Sequence, residues 1–143
     1  KIMIRKAPIS MIMTTPVITL KKHDSLETAE HLFKANHIRH IPVVDGNAII
    51  GMLSYTDLLR LSFADVALND DDNMSDVMVY SMFNIEQVMN RNIVSVSSSN
   101  SIKEVAEILA SKEFHALPVV DKEELVGIVT TTDLINYLLD QFY

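Results

Sequence analysis

The sequence predicts an α/β (α+β) fold built twice: two βαββα repeats in tandem, packed on each other as a pseudo-twofold pair. Three observations predict it. Displaced by 76 positions, Ile9–Leu61 lies on Ile85–Tyr137 without a gap. Within that match Pro, Gly and Asp keep fixed offsets: Pro42-Val43-Val44-Asp45 falls on Pro118-Val119-Val120-Asp121, Gly51 on Gly127, and Thr56-Asp57-Leu58 on Thr132-Asp133-Leu134. Third, a unit this small buries its apolar faces poorly alone, and two copies together can share a core.

The elements follow in order. After the anchors Ile9 and Met13, matched by Ile85 and Met89, the β-branched run Val17-Ile18-Thr19-Leu20 reads as a strand. Asp24 with Glu27, and Ser101 with Glu104, set a carboxylate three residues after a capping residue, the signature of a helix start. The helix of the second copy shows Ile102, Val105, Ala106 and Leu109 at helical spacing. Ile41-Pro42-Val43-Val44 is a second strand, with its Pro near the strand's start or on an edge. The polar turn Asp45-Gly46-Asn47 leads into the strand Ile49–Leu53. Thr56 or Asp57 then starts a closing helix, matched in the second copy by the stripe Leu134, Ile135, Leu138, Leu139 and Phe142. The reading divides the chain into a first repeat at 9–65, a linker at 66–84 and a second repeat at 85–141. The linker holds Asp70-Asp71-Asp72 and then Met74, Val77, Met78 and Met82 at near-helical spacing, read as a polar loop followed by an amphipathic helix.

Composition bounds the function. The chain has 143 residues, 48% of them hydrophobic, which excludes the composition of a disordered segment. No apolar run approaches the roughly 20 residues of a membrane span, and no signal-peptide pattern opens the sequence. The formal net charge of −7 has the wrong sign for generic binding to nucleic acid. Cysteine is absent, which excludes disulfides and thiolate metal sites and fits a cytoplasmic setting. His37-x-x-His40, with His23 and His31 nearby in sequence, lacks a carboxylate partner, so no metal is expected. Asp70-Asp71-Asp72 lacks the spaced ligands and turn Gly of a calcium loop. No nucleophile triad or Gly-rich phosphate loop stands out.

The pattern Arg39-His40-Ile41-Pro42-Val43-Val44-Asp45, then Gly51, then Ser54-x-x-Asp57, resembles a CBS domain. So does His115-Ala116-Leu117-Pro118-Val119-Val120-Asp121, then Gly127, then Thr130-x-x-Asp133. The resemblance covers nearly the whole chain except the linker. It implies a regulatory pair that binds an adenosine-containing ligand (AMP, ADP, ATP, S-adenosylmethionine or a dinucleotide) in clefts between the repeats. It also implies a homodimer formed through helices such as the one ending in Leu138, Leu139 and Phe142, and an associated protein whose identity the sequence does not give.

The chemistry of the matching residues fits that role. An ionised Asp57 or Asp133 can accept from both cis hydroxyls of a ribose. Ser54 and Thr130, three residues earlier, lie near the start of the following helix, where backbone N–H groups can receive a phosphate. The plainer role for each Asp, or for the hydroxyl before it, is to cap its helix. Arg39, His40 and His115 offer donors to phosphate, Arg through its planar fork. Val17 and Ile18, or Ile93 and Val94, are the apolar walls for an adenine, with backbone groups to read its edge; the plainer role is ordinary core packing. Which copy's phosphate residues serve which Asp stays open at this point. No cofactor is expected beyond the regulatory nucleotide. The competing functions are a ligand-free structural or dimerisation module and, weakest, an enzyme, because Asp57 and Asp133 have no evident acid–base partners.

Overall fold

The computed structural model describes residues 6–68, 80–112 and 114–143. Asp70–Asp72, Met74, Val77 and Met78 of the linker lie outside them. The chain divides into two compact units. The first is Ile18–Ile93, and the second joins Lys1–Val17 to Val94–Tyr143. Each structural unit therefore takes its opening segment from the other sequence copy.

In the first unit β1 (Leu20–Lys21) is followed by α1 (Leu26–Asn36), β2 (His40–Asp45), β3 (Ala48–Ser54), α2 (Tyr55–Leu68) and the short α3 (Ile85–Val88). The strand read over Val17–Leu20 is shorter than its β-branched run suggests, because it pairs only at Leu20↔Val43 and Lys21↔Val44, parallel to β2. Going back along that register brings Pro42 to the ladder, and Pro has no N–H to donate. The second unit shows the same geometry. Val96 makes a single parallel bridge to Val119, its N–H donating to Pro118 O at 3.0 Å and its carbonyl accepting from Val120 N at 2.8 Å. The next donor in that ladder would be the nitrogen of Pro118.

The second unit contains α4 (Ile102–Ser111), β4 (Ala116–Asp121), β5 (Glu124–Thr130) and α5 (Thr131–Asp140). Both hairpins are antiparallel and slip register at the same place, between Val43 and Val44 and between Val119 and Val120. The bulges put Gly51 and Gly127 next to the extra residue. A Cβ on Gly51 would collide with Met89 Sδ, and one on Gly127 with Met13 Sδ. These glycines are required by close approach, and the two methionine anchors of the repeat are what approaches.

Short backbone bridges dock the opening segments. Met52 and Asn90 exchange N–H···O bonds of 3.0 and 2.9 Å, and Thr14 and Ile128 exchange bonds of 2.7 and 3.1 Å. Ile9 N donates to Asn100 O at 2.7 Å, and Ile102 N donates to Ala7 O at 2.9 Å. The cores follow this division. Ile85 and Met89 are buried with Leu20, Phe33, Val43 and Leu53, and Ile9 is buried with Val105, Leu117, Val119 and Val129.

The helix starts depart from expectation in the first copy. Ser101 and Glu104 form the reciprocal capping box read from the sequence. In α1 the cap is Ser25, whose Oγ accepts from Thr28 N at 3.1 Å, rather than Asp24. Asp24 is taken by the preceding turn, where it accepts from Lys21 N at 2.8 Å. The closing helices likewise start earlier than Thr56 or Asp57. Helix α2 begins at Tyr55 with Ser54 at the cap position, and α5 begins at Thr131 with Thr130 as its cap. His37 ends α1 in the left-handed conformation, with φ 52°. Among the described residues no group of three or more ligating side chains could hold a metal, and no helix is long and apolar enough to cross a membrane.

Candidate functional site

The structure gathers the singled-out residues at one end of each hairpin. In the first unit the β2–β3 ladder starts at the pair His40↔Ser54. Tyr55 N donates to Arg39 O at 2.8 Å, so Arg39 and His40 stand beside the first turn of α2. Ser54 Oγ accepts from Asp57 N at 3.0 Å, which caps the helix. The Asp57 carboxylate accepts no hydrogen bond among the described residues; the nearest charge is Arg60 Nη1 at 3.8 Å from Oδ1, with the Asp57 side chain 31% exposed.

The second unit repeats the framework with different chemistry. Ala116 pairs with Thr130, and Thr131 N donates to His115 O at 2.9 Å, so His115 holds the place of Arg39. Thr130 Oγ1 accepts from Asp133 N at 3.1 Å, and Asp133 Oδ2 accepts from Thr130 N at 2.9 Å. Here the plainer capping role is realised by both residues. Asp133 is engaged once more: Thr14 Oγ1 lies 3.4 Å from both of its carboxylate oxygens. Thr14 corresponds to Asn90, whose Oδ1 instead accepts from Asn92 N at 2.9 Å.

The apolar candidates divide between the units. Ile18 and Ile93 belong with Asp57, and Val17 and Val94 belong with Asp133. Val17, Ile18 and Ile93 are half-buried and Val94 is 41% exposed. Because Pro42 and Pro118 end the parallel ladders, Ile18 and Val94 have no sheet partner for their backbone groups. A polar edge beside apolar side chains is what a purine ring requires.

Sequence reasoning missed Thr14 and Arg60. Arg60 was legible, since it follows Asp57 by three residues on a helix, where side chains meet. Thr14 was not, because it reaches Asp133 only through the exchange of opening segments between copies.

The family model for the CBS domain matches residues 9–64 and 85–140. An uncharacterized protein of Methanocaldococcus jannaschii, MJ1225, is 28% identical over 126 residues, 87% of this chain and 45% of its own. Its crystal structure superposes with a TM-score of 0.82 at 26% identity, over 94% of this chain and 48% of that one. The CBS domain-containing protein YhcV of Bacillus subtilis is 31% identical, over 85% of this chain and 79% of its own length. Three of the curated relatives are much longer, and the chain spans 45%, 24% and 32% of their lengths. Two further structures share the fold. CBSX2 in complex with AMP has a TM-score of 0.78 at 22% identity, over 96% of this chain and 99% of that one. The CBS domain pair of MJ0100 in complex with 5′-methylthioadenosine and S-adenosyl-L-methionine has a TM-score of 0.76 at 22%, over 92% of this chain and 99% of that one.

Proposed function

We propose, since this chain belongs to the CBS domain family, that it is a regulatory module binding an adenosine-containing ligand and signalling by a shift in conformation. The observation that carries this reading is the carboxylate of Asp57, which among the described residues accepts no hydrogen bond and meets only the exposed Arg60 at 3.8 Å. The backbone N–H of Asp57 is held by Ser54, its helix starts where Tyr55 N donates to Arg39 O, and it shares a unit with Ile18. A helix cap alone does not need the carboxylate, because Ser54 already supplies the cap. The complexes of CBSX2 with AMP and of MJ0100 with adenosine derivatives support the same ligand class. In this reading the chain has no catalytic role of its own and acts on an associated protein in the cytoplasm, which its cysteine-free composition fits.

The alternative of a ligand-free structural module is favoured at one point only, the Asp133 end, where Thr130 and Thr14 take up the carboxylate. A melting screen separates the two readings. A ligand that binds only the folded chain at 100 times its Kd adds about 2.7 kcal/mol. At least one of AMP, ADP, ATP, S-adenosylmethionine and an adenine dinucleotide is expected to raise Tm by several degrees. No shift with any of them at millimolar concentration would establish the structural module instead.

The proposal extends to a homodimer. Ile135, Leu138 and Leu139 of α5 are 51%, 58% and 49% exposed, an apolar face of the kind that pairs with a second copy. Sedimentation is expected to give twice the chain mass of 16.1 kDa at micromolar concentration, and a monomer would count against it.

A further inference from the structure

We infer that the Met13 thioether is a peroxide-sensitive catch: its oxidation to the sulfoxide releases Met13 and Thr14 from β5, while the matching Met89 in the first unit is shielded. The inference goes beyond the nucleotide reading above and does not depend on it.

The first argument is packing. A Cβ placed on Gly127 would stand 2.5 Å from Met13 Sδ and 3.0 Å from its Cγ, so the thioether lies directly on the bare Cα of a strand residue. Its remaining neighbours are the apolar cluster around Ile9, Leu117 and Val129. The next residue along each chain segment makes the backbone exchange: Thr14 and Ile128 are joined by bonds of 2.7 and 3.1 Å. Sulfur contact and hydrogen bonds thus form one catch. Hydrogen peroxide transfers an oxygen to the thioether: the O–O bond breaks, an S–O bond forms, the sulfur gives up two electrons and water leaves. The product is polar and larger. Against glycine and the apolar cluster its oxygen finds no donor, which costs free energy. It gains one by turning to water, and that draws Met13 off Gly127.

The second argument is access. Met89 makes the same contact with Gly51, but it is 8% exposed and is part of the buried core with Leu20, Leu53 and Ile85. Met13 is half-buried and packs against its cluster from the side. Susceptibility to oxidation follows exposure, so the two anchors of the repeat respond differently. The freed stretch is short. Ile9 N on Asn100 O at 2.7 Å and Ile102 N on Ala7 O at 2.9 Å hold the segment on the far side of Met13. Oxidation therefore frees the edge of β5 and leaves Ile9 in its core. The change is reversible, because methionine sulfoxide reductases return the thioether with two electrons from thiols. Met11 and Met82 are 66% and 63% exposed and belong to neither core, so their oxidation serves as an internal control.

Graded hydrogen peroxide on the full chain, read by fragment mass and by amide hydrogen exchange, tests this. Met11 and Met82 are expected to gain an oxygen first, Met13 next and Met89 last. Chains oxidised only at Met11 and Met82 should exchange like the parent. Oxidation of Met13 should speed exchange of the Thr14 and Ile128 amides about 10-fold or more, as for the loss of one or two hydrogen bonds. The Met52 and Asn90 amides should stay within about two-fold at that stage. A methionine sulfoxide reductase should restore the slow exchange. Met13→Leu keeps an apolar side chain of similar size, should fold, and should make Ile128 indifferent to peroxide. Met13→Gln brings a polar group to the same place and should speed Ile128 exchange with no peroxide present. Met89 oxidised before Met13, or a Met13 that resists peroxide while Met11 and Met82 are consumed, would overturn the inference. So would Met13 sulfoxide with Ile128 exchange unchanged, or peroxide-dependent exchange at Ile128 that persists in Met13→Leu.

Discussion

Asp45 and Asp121 end matching strands and are held by different chemistry. Asp45 pairs with Lys22 Nζ at 3.4 Å, whereas Asp121 accepts from Ser98 N at 3.0 Å, from Ser97 Oγ at 3.1 Å and from the Ser98 hydroxyl. The Ser98 hydroxyl and backbone amide favour the charged form and hold the Asp121 carboxyl below its usual value. A carboxylate with a lowered folded pKa contributes stability above its unfolded pKa of 3.8, lost as pH falls through the folded pKa. Asp121→Asn is therefore expected to lower Tm at neutral pH, with the difference from the parent shrinking below about pH 4. Acid titration of the melting temperature of both proteins checks this; a difference that stays constant down to pH 2 would contradict it. At this scale the two hydroxyl-x-x-Asp motifs were legible, because spacing along one helix start is local. The engagement of Asp133 by Thr14 was not, since the partners are 119 residues apart in the chain.

The hairpin turns show the same difference between copies. Gly46 takes φ +65° with open space around it, while the second turn puts two residues with side chains, Lys122 at 50° and Glu123 at 67°, in the left-handed region. That region costs residues other than glycine roughly 1–2 kcal/mol. Two left-handed positions in a two-residue turn favour Asn-Gly. The double change Lys122→Asn with Glu123→Gly is thus expected to stabilise the chain by about 1 kcal/mol, measured by urea unfolding. A loss of stability would mean that these side chains make contacts worth more than the strain. Element identity was legible from β-branched runs and helical spacing. The boundaries were less so, for physical reasons: Asp24 and Ser25 are both good caps and only one can serve, and a proline ends each parallel ladder before the β-branched run is used up.

Across the whole molecule, the repeat in sequence and the units in space are out of step by one segment. Ile9 is fully buried, and its neighbours are Val105, Leu117 and Val129 of the other copy. Sequence comparison cannot detect this exchange, because the repeat looks the same whichever copy supplies the segment. Ile9→Ala is expected to cost about 2–5 kcal/mol. In native-state hydrogen exchange it should speed the amides of β4 and β5 before those of β2 and β3. Faster exchange confined to β2 and β3 would contradict the assignment of Ile9 to the second unit.

The proposed recognition of an adenosine ligand runs through the hydroxyl-x-x-Asp ends, Asp57 above all. The most direct measurement is an amide chemical-shift titration of the labelled chain with AMP. The account predicts saturable shifts at Ile18, Arg39–Ile41 and Ser54–Arg60, lost in Asp57→Asn. Unchanged spectra at millimolar AMP, or saturable shifts that leave Ser54–Arg60 untouched, would contradict it.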